Sequence, residues 1–446
     1  MFPAFLLVMA ALVVVPFFPG NLASSQPVDE QLPIYLSTDA ASVQGVSPEI
    51  ATASSQVVEM TVAHLKAMGL PVTAAGSAAY VISPAAASDT SNASGYVAAS
   101  TSTLPTATVR LSVGLNNSSL PAASGSETDF GGDGDSAWRL AYEVQHNVVT
   151  GLKDILGYDS YDRGVVQEPA PPAGMQGVGA HDPWVEAYPI FDSNSSESAL
   201  LQQPGGPIVL SAALANAIHD YMDPTVHTPG RVAEFDWRPA PSWQPVTPKT
   251  ISRSNDPVRV ALTFDGGASS VPTPAILKAL TDAGVPATIF LTGDFVEKNQ
   301  DLVVQMARDG FEFGNHSSTH PDMTTVSSQT MIDELNGLET KVVALTGKST
   351  RPWFRPPFGA YNDRVLQVAA DQGYYSVLWT QDSADWRNDI DAATVEARIL
   401  RYATPGSIII EHLGSPQSAQ VLPEVLSVLK SRGVTFGTLS EVMGTP

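Results

Sequence analysis

The chain has 446 residues, 43% of them hydrophobic, and a formal net charge of −22. Such a charge argues against nucleic acid and anionic membrane surfaces as partners, because both need basic patches. The absence of cysteine excludes disulfide frameworks, thiolate catalysis and Cys-metal sites, while the length is enough for two or three domains.

Residues 2–19 carry no charge. Such a run reads as a signal peptide or a membrane anchor occupying residues 1–23. Export to the cell envelope or beyond it is the expectation. Residues 31–221 read as an α/β domain. Leu32–Leu36 predicts a strand. Apolar residues recur at helical spacing over 49–68 and stop at Gly69. Strands are predicted at 71–73, 109–113 and 187–191, and helices at 136–156 and 208–221. Residues 83–106, rich in Ala, Ser and Thr, predict a loop. Strands alternating with helices imply a mostly parallel sheet. His64, His146 and His219 fall in predicted helices and read as surface or packed histidines. Residues 222–255 hold six prolines and predict a linker, with Trp237 and Trp243 packing on a neighbour.

From residue 256 to 443 strands and helices alternate. Strands are predicted at 258–264, 287–292, 312–315, 375–379 and 407–411. Helices are predicted at 273–283, 299–309, 328–346, 366–372, 394–403 and 422–431. Five polar clusters each follow an apolar run. They are Thr263-Phe264-Asp265-Gly266-Gly267, Asn315-His316-Ser-Ser-Thr-His320-Pro321, Arg355-Pro-Pro-Phe-Gly359, Asp382-Ser-Ala-Asp385-Trp386 and Ile408-Ile-Ile-Glu-His412. Strand C-termini are where α/β folds place reacting groups. His316 and His320 are four residues apart. On one turn of helix both imidazoles would project from one side and suit two nitrogen ligands to a divalent ion such as Zn²⁺.

In their order these clusters resemble the five motifs of the polysaccharide deacetylases, the NodB-homology domain of carbohydrate esterase family 4. The resemblance covers about 190 residues and implies a distorted (β/α) barrel. It also implies metal-dependent hydrolysis of N-acetyl groups on a glycan. Asp265 matches the general base and Arg355 the residue that holds it. His412 matches the general acid and Asp385 its partner. His316 and His320 match metal ligands. Trp386 and Ile410 match the walls around the acetyl methyl, and the Phe358 N–H matches an oxyanion donor. Asp382 belongs to the motif in a structural role. The family's second aspartate, a metal ligand, is replaced by Gly266, so the metal site is short of a ligand. Residues 31–221 resemble, in layout, the type 3 N-acetylmuramoyl-L-alanine amidases. Gly114 and Asp192 stand where that family has a zinc histidine and a catalytic glutamate, which makes the module degenerate. Together these resemblances imply a deacetylase of peptidoglycan or another GlcNAc polymer. A deacetylase of chitin or xylan, or a catalytically silent wall-binding protein, stands as the alternative.

Overall fold

The runs predicted as strands build two separate sheets in the computed structural model. It describes residues 32–38, 48–76, 79–83, 108–116, 118–172, 175, 178–179, 181–203, 205–223, 225–226, 237–239, 243–267 and 269–444. The N-terminal apolar run and most of the Ala/Ser/Thr-rich loop lie outside the described residues. No described helix is long and apolar enough to cross a membrane.

The first sheet is built from β1 (Ile34–Thr38), β2 (Val72–Gly76), β3 (Ala79–Ile82), β4 (Val109–Val113), β5 (Ser126–Gly131), β6 (Asp162–Gln167), β7 (Trp184–Tyr188) and β8 (Trp237–Pro239). Its helices are α1 (Pro48–Ala67), α2 (Ser136–Leu156), α3 (Ser195–Gln202) and α4 (Gly205–Met222). Strand order is β2-β3-β1-β4-β7-β5-β6-β8. Parallel contacts outnumber antiparallel ones four to three. The antiparallel contacts come from the β2–β3 hairpin, which also pairs with β1, and from β5 beside β7. Alternate residues of β4 and β7 (Leu111, Val113, Val185, Ala187) join Trp138, Leu140 and Leu214 of the helices in one buried cluster. Helix α2 stops at Gly157, whose left-handed φ of 66° returns its N–H to the last-turn carbonyls.

The second sheet holds β9 (Thr250–Ile251), β10 (Arg259–Gly266), β11 (Thr288–Leu291), β12 (Glu312–Asn315), β13 (Trp353–Phe354), β14 (Tyr375–Val377), β15 (Gln381–Asp382), β16 (Ile408–His412) and β17 (Thr435–Phe436). All its ladder contacts are parallel, in the order β15-β16-β10-β11-β12-β13-β14-β9, with β17 beside β10. Outside lie α5 (Thr273–Ala283), α6 (Gly293–Lys298), α7 (Gln300–Arg308), α8 (Ser328–Thr346), α9 (Asp363–Asp371), α10 (Ala392–Tyr402), α11 (Pro416–Ser431) and α12 (Leu439–Met443). The sheet curls into a half-barrel, the α/β fold that the resemblance implies for this part of the chain.

Side-chain alternation explains the curl's two faces. Val260, Leu262 and Phe264 of β10 face the helix layer with Ile289, Leu291 and Ile409. Ala261 faces inward with Phe290, Trp353, Val377 and Ile408. Thr263 and Asp265 continue that inward row to the C-terminal end of β10. The predicted linker tryptophan Trp243 packs on this half: the Arg351 guanidinium lies 5.0 Å from its ring, and its Cβ abuts Gly373.

Candidate active site

The inward row of β10 ends on Asp265, which is 6% exposed. Arg355, fully buried, follows β13 and donates from Nη1 to Asp265 Oδ1 at 2.6 Å and from Nη2 to Thr263 Oγ1 at 2.9 Å. Its guanidinium lies 4.1 Å from the Phe290 ring centroid. Burial raises the Asp265 pKa, but the charges of Arg355, His316 and His412 outweigh it and hold the carboxyl below the usual range. Asp265 is therefore an ionised carboxylate at neutral pH, aimed upward from the barrel.

His316 follows β12. Its Nδ1 donates to the Arg355 carbonyl at 2.7 Å, which leaves Nε2 facing Asp265 Oδ2 at 3.5 Å. Burial drives its pKa down to about 4, so the imidazole is neutral. His320 lies with its ring centroid 4.8 Å from that of His316 and 4.6 Å from that of Phe358. Burial lowers its pKa too. The helical turn expected for these two histidines does not form. Ser317 and His320 have φ of 68° and 61°, outside the helical region. The loop is held instead by side chains: Ser317 N–H donates to Asn315 Oδ1, His320 N–H to Ser317 Oγ, and Thr319 N–H and Oγ1 to the Glu334 carboxylate of α8. Pro321 follows at once.

The opposite wall comes from β16 and the β15–α10 loop. His412 Nδ1 donates to Asp385 Oδ1 at 2.7 Å, and His412 N–H donates to Oδ2 at 2.8 Å. Ser418 Oγ of α11 adds a third bond to Asp385 Oδ2 at 2.7 Å. Burial pulls the His412 pKa down, but the hydrogen bond and charge of Asp385 outweigh it, and the imidazole sits above its ordinary value. Burial raises Asp385, yet the His412 contact carries it below the carboxylate range. Asp382 Oδ1 accepts from Ala384 N–H and Oδ2 from the Trp386 indole N–H.

All nine sequence-derived site residues converge. Asp265, His316, His320, Phe358, Asp385, Trp386, Ile410 and His412 line one cavity of about 780 Å³, and Arg355 lies beneath it, bonded to Asp265. Phe358 has φ 59° in the short turn Pro357–Gly359 and exposes its ring at the rim. Sequence reasoning missed Thr263, Ser418 and Trp379. Thr263 was legible in the Thr-Phe-Asp run. Ser418 and Trp379 carry no local signal.

The donor set does not complete a catalytic metal centre. Among the described residues no three His, Cys, Asp or Glu side chains converge as ligands, whereas catalytic zinc keeps three protein ligands. Gly266 falls on the outward row of β10, and a Cβ there would meet Leu413 and Leu291 at 3.1 and 3.2 Å. The residues fit two ligands, His316 and His320, and no more.

Glu411, between Ile410 and His412, is fully buried, and the Ser418 hydroxyl is its nearest polar neighbour. Burial, then the charge of Asp385, pushes its pKa up to about 8. An unfolded glutamate ionises near ~4.3. The folded state's preference for the neutral form therefore costs nothing below that pH, and stability is lost as pH rises towards 8. Glu411→Gln should raise the melting temperature over wild type at pH 8 and leave it nearly unchanged at pH 4.5, measured by calorimetry.

A buried carboxylate on an arginine and a histidine on an aspartate, facing across a cavity at the C-terminal ends of parallel strands, define a hydrolase-type site in a (β/α) half-barrel. A sequence model described as polysaccharide deacetylase matches residues 252–377. The peptidoglycan-N-acetylmuramic acid deacetylase PdaA of Bacillus subtilis is 33% identical over 186 residues, 41% of this chain and 71% of that protein. A peptidoglycan-N-acetylglucosamine deacetylase of Bacillus cereus is 32% identical over 213 residues, 47% of this chain and 76% of that protein. A solved family 4 pseudoenzyme from Bacillus anthracis is 31% identical, covering 45% of this chain and 70% of that one at a TM-score of 0.42. The chain belongs to the polysaccharide deacetylase family. The amidase resemblance of residues 31–221 gains no support from these comparisons.

Proposed function

We propose that the chain is an exported hydrolase that removes acetyl groups from the N-acetylated sugars of a GlcNAc-containing polysaccharide, peptidoglycan first. One observation carries this reading: Asp265 on Arg355 and His412 on Asp385 flank a single cavity with complementary ionisation states. Asp265, ionised, accepts a proton from the attacking water. Arg355 keeps that carboxylate charged and fixes its direction. His412, whose protonated form Asp385 favours, donates to the departing amine nitrogen, and acetate leaves. Trp386 and Ile410 close around the acetyl methyl, and the Phe358 N–H supports the developing oxyanion.

The reading is tested by acetate release from N-acetylglucosamine oligomers and from peptidoglycan, with added zinc and with chelator. Release from neither polymer under any condition would sink it. A second reading, a silent glycan-binding protein, is favoured by Gly266 and the missing third ligand. Binding of the glycan with no acetate release under any metal condition would support that reading.

The pH profile is fixed by the same pairs. The acid limb of kcat/KM reports Asp265 and should lie below its ordinary 3.8. The alkaline limb reports His412 and should lie above its ordinary 6.5. Asp385→Asn removes the charge that raises His412, so the alkaline limb should move to lower pH. A limb that stays in place would show that His412 is not the acid.

A further inference from the structure

Glu411 is a buried titratable group that the proposed chemistry leaves unused, and its place on β16 ties it to the acid. Side chains alternate along this strand. Ile410 and His412 face the cavity. Ile409 faces the helix layer, and so does Glu411, which stands beside Phe264 of β10.

Helix α11 brings Ser418 to the same layer. Ser415 caps this helix, accepting from Ser418 N–H at 3.0 Å and donating from Oγ to the Asp385 carbonyl at 3.3 Å. Ser418, fully buried, is thereby fixed in the first turn, where its hydroxyl faces two carboxyl groups. One is Asp385, whose Oδ2 accepts at 2.7 Å. The other is Glu411. Asp385 and His412 are the charged groups that bear on Glu411. Neither Glu411 nor Ser418 lines the cavity.

A hydroxyl has one proton to give. Ser418 gives it to Asp385, so towards Glu411 it can only accept. A protonated Glu411 is a donor and fits this arrangement. An ionised Glu411 is a second acceptor competing for the same proton, and it adds a negative charge beside buried Asp385.

We propose that Glu411, in its protonated form, is a positioning residue of the acid arm: it leaves the Ser418 proton to Asp385, which in turn orients His412. This rests on the reading of His412 as the acid and adds two residues behind it. When Glu411 ionises, Asp385 loses a donor and a negative charge appears next to His412. Both strengthen the hold on the imidazole proton, so Glu411 and His412 titrate as a coupled pair. In Glu411→Gln the amide donates to Ser418 at every pH, and His412 titrates alone.

The test follows the His412 imidazole by NMR of the whole chain labelled at histidine, without substrate, its signal assigned by loss in His412→Gln. Wild type should titrate over a broadened range. Glu411→Gln should narrow the curve to one proton and move its midpoint down by roughly one pH unit. In a Ser418→Ala background the same substitution should move the midpoint less than half as far. Ser418→Cys, a weaker donor of similar size, replaces the alanine variant if that one does not fold. Identical curves for wild type and Glu411→Gln would overturn the inference. So would an equal shift with and without Ser418, which leaves only charge acting through space. These shifts together with no acetate release from any polymer would leave the arrangement around His412 standing and overturn the deacetylase reading instead.

Discussion

Asp265→Asn should lower acetate release by about 10³-fold with the fold retained, since a positioned general base contributes ~10²–10⁴. Asparagine keeps the shape, and its Oδ1 still accepts from Arg355 Nη1. It has no basic oxygen to take a proton from water. The charge it removes also leaves Arg355, 0% exposed, without a counter-ion, so some stability goes as well. Breaking a buried pair costs roughly 3–5 kcal/mol. Activity must therefore be compared at a temperature where both proteins are folded, with circular dichroism as the check. A variant that stays folded and keeps more than a tenth of the activity would remove Asp265 from the chemistry. His412→Gln supplies the independent arm: it leaves the Asp265–Arg355 pair intact and should cost activity, with the same folding check because it takes the imidazole from buried Asp385.

The half-barrel was legible because its signals are local. Apolar runs end on polar residues, and glycines such as Gly284 and Gly347 stop α5 and α8 where predicted. The site residues were legible because each follows such a run. The path of the chain between the two histidines was not. Spacing of four suggests a helical turn, but Asn315, Ser317 and Glu334 hold a loop with left-handed residues, and α8 supplies Glu334 from a distance that no short window spans. The first sheet was less legible. Ser126–Gly131 reads Ser-Glu-Thr-Asp-Phe-Gly, a polar turn-like stretch, yet it is β5, between β6 and β7. Pairing on both edges overrides its weak propensity. The same holds for β6, which opens on Asp162-Arg163-Gly164 and serves a contact.

That contact carries the second large effect. Arg163 sits on β6 with its side chain 3% exposed. It reaches out of its own sheet to α8 of the half-barrel: Nη1 donates to the Leu345 carbonyl and Nη2 to the Val343 carbonyl, each at 3.1 Å. These are last-turn carbonyls of α8, and Val343 also accepts the Gly347 N–H at 2.7 Å; a cation there also complements the helix dipole. Glu127 lies 3.4 Å from Nε, and the Phe191 ring lies 4.7 Å from the guanidinium. Tyr161 adds a bond from its hydroxyl to the Thr346 carbonyl at 3.1 Å. Leu120, Ala123, Tyr161 and Phe191 join the apolar cluster of the half-barrel itself. Arg163→Met keeps the stem and removes the fork. It removes the donor to the Leu345 carbonyl, one of two donors to the Val343 carbonyl, and the guanidinium beside Glu127. The expected loss is about 3 kcal/mol, read as a lower urea midpoint in one cooperative transition, with Arg163→Lys intermediate because an ammonium cannot span both carbonyls. Because α8 also holds the His316–His320 loop through Glu334, activity should fall at denaturant concentrations where wild type is still fully active. An unchanged midpoint would mean that the first sheet is only tethered to the half-barrel and lends it no stability.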